Sequence, residues 1–125
     1  MILDTNALSA WADGDADVEA SALLADRPVV PVVVLGEYLF GIRQSRHRAH
    51  YEDWLRRTLP LVRIAISDSG TAESYATVRL ELKAAGCPIP ANDLWIAALA
   101  RQHGLPVLSR DTHFDAVRDL ERIPF

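Results

Sequence analysis

Short apolar runs alternate along the chain with longer amphipathic stretches, and the change of period marks the elements. Met1-Ile2-Leu3 is an apolar start that runs directly into Asp4, and it reads as a central strand delivering that carboxylate. Ala7 to Trp11 predicts a helical turn and Asp13-Gly14-Asp15 a loop. Asp17 to Asp26 predicts a helix, with Val18, Ala22 and Leu23 near helical spacing and acids in the first turn, where the backbone dipole favours them. Val29 to Leu35 is apolar throughout but contains Pro31, which cannot donate to a central ladder and suits the first position of a helix. The run therefore divides into a strand before Pro31 and a helix after it, carrying Val34, Leu35, Tyr38, Leu39 and Ile42 with Glu37 inside its second turn. A single edge strand through Leu35 is the competing reading, and it leaves Glu37 just beyond the strand's carboxyl end.

Arg43 to Arg57 opens another helix whose apolar side includes Tyr51, Trp54 and Leu55, and Pro60 stops it. Leu61 to Ile66 predicts the next strand. Asp68 or Ser69 can cap a long helix from about Thr71 to Ala85, closed by Gly86. Cys87-Pro88-Ile89-Pro90 is a stiff connector. A helix then runs from Ala91 or Asn92 through Gln102, Leu105 to Leu108 is a buried strand, Phe114 to Arg118 a helical turn, and Leu120 to Ile123 a last strand. Strands alternating with helices imply parallel pairing and right-handed crossovers, hence an α/β fold of three layers with a mainly parallel central sheet covered by helices. In such sheets ligands bind at the carboxyl ends of the strands, where Asp4 and Asp111 fall.

The 125 residues fit one domain, 1–125, and no apolar run reaches the roughly 18 to 20 residues needed to cross a bilayer. Asp4 stands where a secretory signal needs positive charge, so a soluble cytoplasmic protein is expected. Cys87 is the sole cysteine and cannot form an internal disulfide; it reads as a small packed or loop residue. Net charge is -4, which excludes bulk electrostatic gripping of nucleic acid and requires any such contact to be local. Twelve of the thirteen basic residues are arginines, suited to phosphate but equally a product of codon bias.

Four acids interrupt apolar surroundings. Asp4 and Asp93 each have a bland reading as helix caps, and Asp111 as a turn former. Glu37 is the only charged residue between Arg27 and Arg43, and Asp93 is followed by seven apolar residues. An ionised carboxylate removed from water without a partner costs several kcal/mol, so each must reach solvent, a cation or a proton. If the four converge, two of them about 4 Å apart repel by about 4 kcal/mol at an effective dielectric near 20. An oxygen-only donor set without nearby Cys or paired His suits Mg²⁺, with Mn²⁺ the other candidate. Such a cluster can serve phosphodiester hydrolysis, because the metals attract the substrate that bare carboxylates repel.

Taken in order, these residues resemble the PIN-domain nucleases, and among them the VapC-type toxins of bacterial toxin-antitoxin pairs. Ile2-Leu3-Asp4-Thr5-Asn6 resembles the opening motif, and Val34-Leu35-Gly36-Glu37-Tyr38-Leu39 with Gly41 the second. Asn92-Asp93-Leu94-Trp95-Ile96-Ala97-Ala98 resembles the third, and Leu108-Ser109-Arg110-Asp111 followed by Phe114-Asp115 the fourth. The resemblance spans essentially the whole chain. It implies a Mg²⁺-dependent endoribonuclease, usually a homodimer, neutralised by a small antitoxin that often inserts a basic side chain among the acids. Asp4, Glu37, Asp93 and Asp111 match the catalytic, metal-binding quartet. Asn6 and Ser109 match positions that orient those acids, and Asp115 a position that only sometimes joins the site. Ser109 stands where the family often has Thr, so a hydroxyl is retained. The expected reaction is metal-assisted in-line hydrolysis of single-stranded or looped RNA, leaving a 5′ phosphate.

Arg110, beside Asp111, is a candidate phosphate contact. Arg43, Arg46 and Arg48 are weaker ones, being better explained as a solvated helix face. His47 and His50 lack a nearby acid at ligand spacing. Trp11, Trp54 and Trp95 read as core or interface residues. A haloacid-dehalogenase-type hydrolase needs a second Asp where Asn6 stands, and a receiver domain needs a lysine after a late strand, whereas Lys83 lies in the long helix. The remaining rival is a non-catalytic module that binds RNA or a partner, although a binder has no need of four costly acids.

Overall fold

Ile2 and Leu3 are wholly buried in the computed structural model, which describes residues 1–125. A strand apolar on both faces needs cover on both, and this one, β1 (Ile2–Leu3), is the middle strand of a five-stranded parallel sheet. On one side lie β2 (Val29–Pro31) and then β3 (Arg63–Ala65); on the other lie β4 (Val107–Leu108) and then β5 (Arg122–Ile123). Six helices flank the sheet: α1 (Thr5–Ala12), α2 (Ala16–Leu24), α3 (Val32–Arg43), α4 (Arg48–Thr58), α5 (Ser69–Ala84) and α6 (Ala91–His103). The three-layer, parallel α/β arrangement expected from the alternation of elements is the one found.

Local chemistry sets the boundaries. Asp15 caps α2 through the N–H groups of Asp17 and Val18. Asp68 and Thr71 form a reciprocal capping box at the start of α5. Gly104 ends α6 in the left-handed region at φ 63°, where a residue without Cβ is least strained. Helix α5 packs along α6, fastened by Ser74 donating to the Ala98 carbonyl at 2.9 Å and by Arg101 against Glu81 at 2.6 Å. Trp95 stacks on Tyr75, while Trp11, Trp54 and Tyr38 form an edge-on aromatic cluster. No helix is long and apolar enough to cross a membrane.

Pro31 departs from expectation. It is not the first helical residue but the last residue of β2, paired with Ala65, and β2 is an interior strand. The N–H of Val29 donates to Met1 O, so by two-residue alternation position 31 also faces β1. Proline has nothing to give there, and pairing between β1 and β2 stops at Ile2 and Val29. The other strands are also shorter than the apolar runs implied. Leu59–Leu61 is a tight 3-10 turn built on Pro60, and Ile66 is largely exposed, leaving only Arg63–Ala65 in the ladder. The turn expected over Phe114 to Arg118 is a 3-10 turn at Thr112–Ala116. Cys87 is an exposed loop residue.

Topology then places the site. From β1 the chain builds outward through β2 to β3, returns over α5 and α6 to β4, and finishes at β5, so the order reverses between β1 and β4. A parallel sheet opens a crevice at the carboxyl ends of strands flanking such a reversal. Asp4 follows β1 there, and Ser109 to Asp111 follow β4.

Candidate metal centre

Asp4 is forced indoors by the strand that precedes it and is 5% exposed. One carboxylate oxygen caps α1, accepting from the Thr5 N–H at 2.7 Å. The other accepts from Asn6 Nδ2 at 2.8 Å and from Ser109 Oγ at 2.7 Å. Ser109 is wholly buried, and its hydroxyl also accepts from Asn6 Nδ2 at 3.2 Å and from the Asp111 N–H at 2.9 Å. Asn6 Oδ1 takes the Arg110 N–H at 3.1 Å. One amide and one hydroxyl thus tie the ends of β1 and β4 together and orient both acids.

Glu37 enters from the second turn of α3. Its Oε2 accepts from Thr5 Oγ1 at 2.5 Å and its Oε1 from Asn92 Nδ2. Asp93 lies in the first turn of α6, where the helix dipole favours a negative charge. Its Oδ2 is 3.0 Å from His113 Nδ1, and the same nitrogen is 3.0 Å from Asp111 Oδ1. Asp111 in turn caps the 3-10 turn by accepting from the His113 N–H at 2.9 Å.

The structure therefore brings Asp4, Glu37, Asp93 and Asp111 into one field. Burial pushes the Asp4 carboxyl up from the usual carboxylate range; hydrogen bonds from Ser109 and Thr5 oppose it, and the charges of Asp93 and Glu37 add to it. Asp93 is also pushed up, first by burial and then by the charges of Asp111 and Glu37, against the His113 hydrogen bond. No arginine or lysine forms an ion pair with any of the four. Hard oxygen donors from four elements, short of cationic partners, are a donor set that fits a divalent metal.

These shifts fix a pH dependence. Asp4 and Asp93, raised above 3.8, bind protons in the folded state that the unfolded chain has released, so stability falls as pH rises through that window. His113 is raised above 6.5, chiefly by its hydrogen bond to Asp93; its contribution is complete below 6.5 and is lost as pH rises through the raised value. All three act in one direction. The metal-free protein is expected to melt at progressively lower temperature as pH rises above 3.8 and then above 6.5, with the Met1 amine, lowered by burial, opposing the fall only as pH nears 8.0, and a saturating divalent metal to remove most of that slope. Thermal melts in EDTA and in Mg²⁺ check this; a Tm in EDTA that rises with pH contradicts it.

The side chains of the other anticipated residues are not paired with the four acids. Arg110 turns its guanidinium to Asp15, 3.3 Å away, and over the Phe125 ring, with 57% of its side chain exposed. Arg43 is exposed at the last residue of α3, about 120° round the helix from Glu37. Asp115 pairs with Arg122 at 2.7 Å, and Arg122 donates to the Ser109 carbonyl at 3.1 Å, so Asp115 braces β5 and touches none of the four acids. Thr5, Asn92 and His113 were missed as site residues. Thr5 and Asn92 stood inside the quoted motifs without roles. His113 places its ring against two of the acids, and its position two residues after a capping Asp was the only signal available.

The family model for the PIN domain matches residues 1–120. Ribonuclease VapC4 of Mycobacterium tuberculosis is 35% identical over 101 residues, covering 75% of this chain and 74% of that protein. The solved structure of VapBC-5 from Mycobacterium tuberculosis, a member of the VapBC family of toxin-antitoxin systems, is 30% identical with a TM-score of 0.79, covering 99% of this chain and 97% of that one. VapBC2 from Rickettsia felis, solved bound to a promoter DNA fragment, has a TM-score of 0.89 at 21% identity over 98% of this chain and 96% of that one, a likeness of fold.

Proposed function

The chain belongs to the PIN domain family, and on that premise we propose that it is a metal-dependent endoribonuclease, a single nuclease domain acting as the toxin of a toxin-antitoxin pair. The observation that carries the reading is the meeting of Asp4, Glu37, Asp93 and Asp111 at the reversal between β1 and β4. These four would hold Mg²⁺, or Mn²⁺ in its place. When bound, the metal supplies charge to a phosphodiester and its leaving oxygen and acidifies water for in-line attack.

The chain's own residues prepare that site. Asn6 and Ser109 hold the inner oxygen of Asp4, while Thr5 and Asn92 hold the two oxygens of Glu37, so carboxylates from separate elements keep their geometry without substrate. The Ser109 hydroxyl is buried and donates to Asp4, so it orients that acid and does not serve as a nucleophile. Asp115 acts at one remove, fixing the arginine that caps the Ser109 carbonyl. Arg110, exposed at the rim, meets a phosphate by exchanging Asp15 for it. A homodimer, a small cognate antitoxin and a cytoplasmic location complete the proposal; the toxin-antitoxin relatives support the antitoxin.

The test is incubation of the purified full chain, freed of co-purifying partners, with an RNA panel in Mg²⁺, Mn²⁺ or EDTA. Cleavage in metal, with 5′-phosphate products and none in EDTA, is the expected result. RNA that is bound but uncut in every metal favours the non-catalytic module instead.

A further inference from the structure

Resting on the metal-site reading above, we propose that His113 joins Asp93 and Asp111 as a nitrogen ligand to the divalent ion and biases the centre toward Mn²⁺ over Mg²⁺. The three side chains offer ligand atoms that all lie within 4.8 Å of one another. His113 Nδ1 is 3.0 Å from an oxygen of each acid. Adjacent ligands of an octahedral ion with bonds of about 2.1 Å are separated by about 3.0 Å, the edge of the octahedron. Nδ1 and each of its two oxygens therefore already stand at the spacing of neighbouring ligands. The ion replaces the hydrogen that Nδ1 shares with the carboxylates, and the ring proton resides on Nε2.

Two features keep the imidazole in place. The His113 backbone N–H donates to Asp111 at 2.9 Å, tying main chain and ring to the same acid. The next residue, Phe114, is wholly buried and anchors the turn. A nitrogen donor changes which ion the centre prefers. Mg²⁺ binds oxygen almost exclusively and gains little from imidazole, whereas Mn²⁺ and the later divalent metals accept it.

Partners that merely orient metal ligands are worth about 10- to 100-fold in affinity, so a direct ligand should be worth at least about tenfold. The probe is Mn²⁺ alone, bound to the full chain and examined by pulsed EPR for coupling to a directly bound nitrogen. Titrations with Mn²⁺ and Mg²⁺ accompany it, on the wild type, His113→Gln and Asp93→Asn. His113 has 47% of its side chain exposed, so the glutamine variant leaves the core intact and retains a hydrogen-bond donor. Nitrogen coupling that is present in the wild type and absent in His113→Gln, with Mn²⁺ affinity down about tenfold and Mg²⁺ affinity changed less than about twofold, supports the proposal. Mn²⁺ that binds, is lost in Asp93→Asn and shows no nitrogen coupling overturns the role of His113 and leaves the carboxylate centre standing. Failure to bind Mn²⁺, or binding indifferent to Asp93→Asn, overturns both.

Discussion

Asp4→Asn is expected to lower RNA cleavage by at least about 10³-fold, because a divalent metal contributes several kcal/mol to stabilising transition-state charge and each 1.4 kcal/mol is tenfold in rate. The substitution preserves size, but an amide has one acceptor oxygen where the carboxylate has two. Asn6 Nδ2 and Ser109 Oγ both donate to the inner oxygen, and the Thr5 N–H donates to the other. An amide therefore turns its NH2 either toward two donors or toward the Thr5 N–H. On the proposed reading the ion would then lose its most buried carboxylate together with the geometry that Ser109 shares with Asp111. A binding readout accompanies the kinetic one. At 100 times its Kd the metal stabilises the wild type by about 2.7 kcal/mol, and that rise in Tm should nearly vanish in Asp4→Asn. Cleavage retained to within tenfold would remove Asp4 from the chemistry.

Phe114→Ala carries the largest expected effect on stability, about 3 to 5 kcal/mol by urea denaturation. Phe114 is the largest side chain fully excluded from solvent, and small domains hold only about 5 to 15 kcal/mol in total. Its position gives the loss a second consequence. It sits inside the 3-10 turn that Asp111 caps and that presents His113, so emptying its pocket loosens both. Phe114→Leu, which keeps most of the volume, should cost less than about 1.5 kcal/mol and retain metal binding. A loss below about 1 kcal/mol in the alanine variant would mean that the pocket closes over the gap and that the turn does not depend on it.

The fold was legible wherever one local rule decided an element. Ile2-Leu3 ending in Asp4, Asp68 with Thr71 three residues on, and Gly104 after α6 each announce themselves within a few positions. Pro31 shows the limit. Its lack of an N–H was read as exclusion from an interior strand, but what mattered was the side to which that N–H would have pointed, and β1 had already stopped pairing there. The acids were visible singly because each broke an apolar run. Their supports were not. Thr5 reaches Glu37 across 32 residues, Asn92 reaches it across 55, and His113 reaches Asp93 across 20. No periodicity encodes such pairings; they exist only once helices α3 and α6 have packed. Arg110 illustrates the converse, since adjacency to Asp111 suggested a phosphate contact while the folded chain offered it Asp15 and Phe125 first.

The carboxylate after the first strand receives its decisive hydrogen bond from a hydroxyl 105 positions later in the chain. Synthesis runs in one direction, so a ribosome-held polypeptide exposes Asp4 long before β4 can slide in beside β1. Until that insertion the buried oxygen has neither its serine nor its companion Asp111, so the four acids can meet only once β4 has joined the sheet.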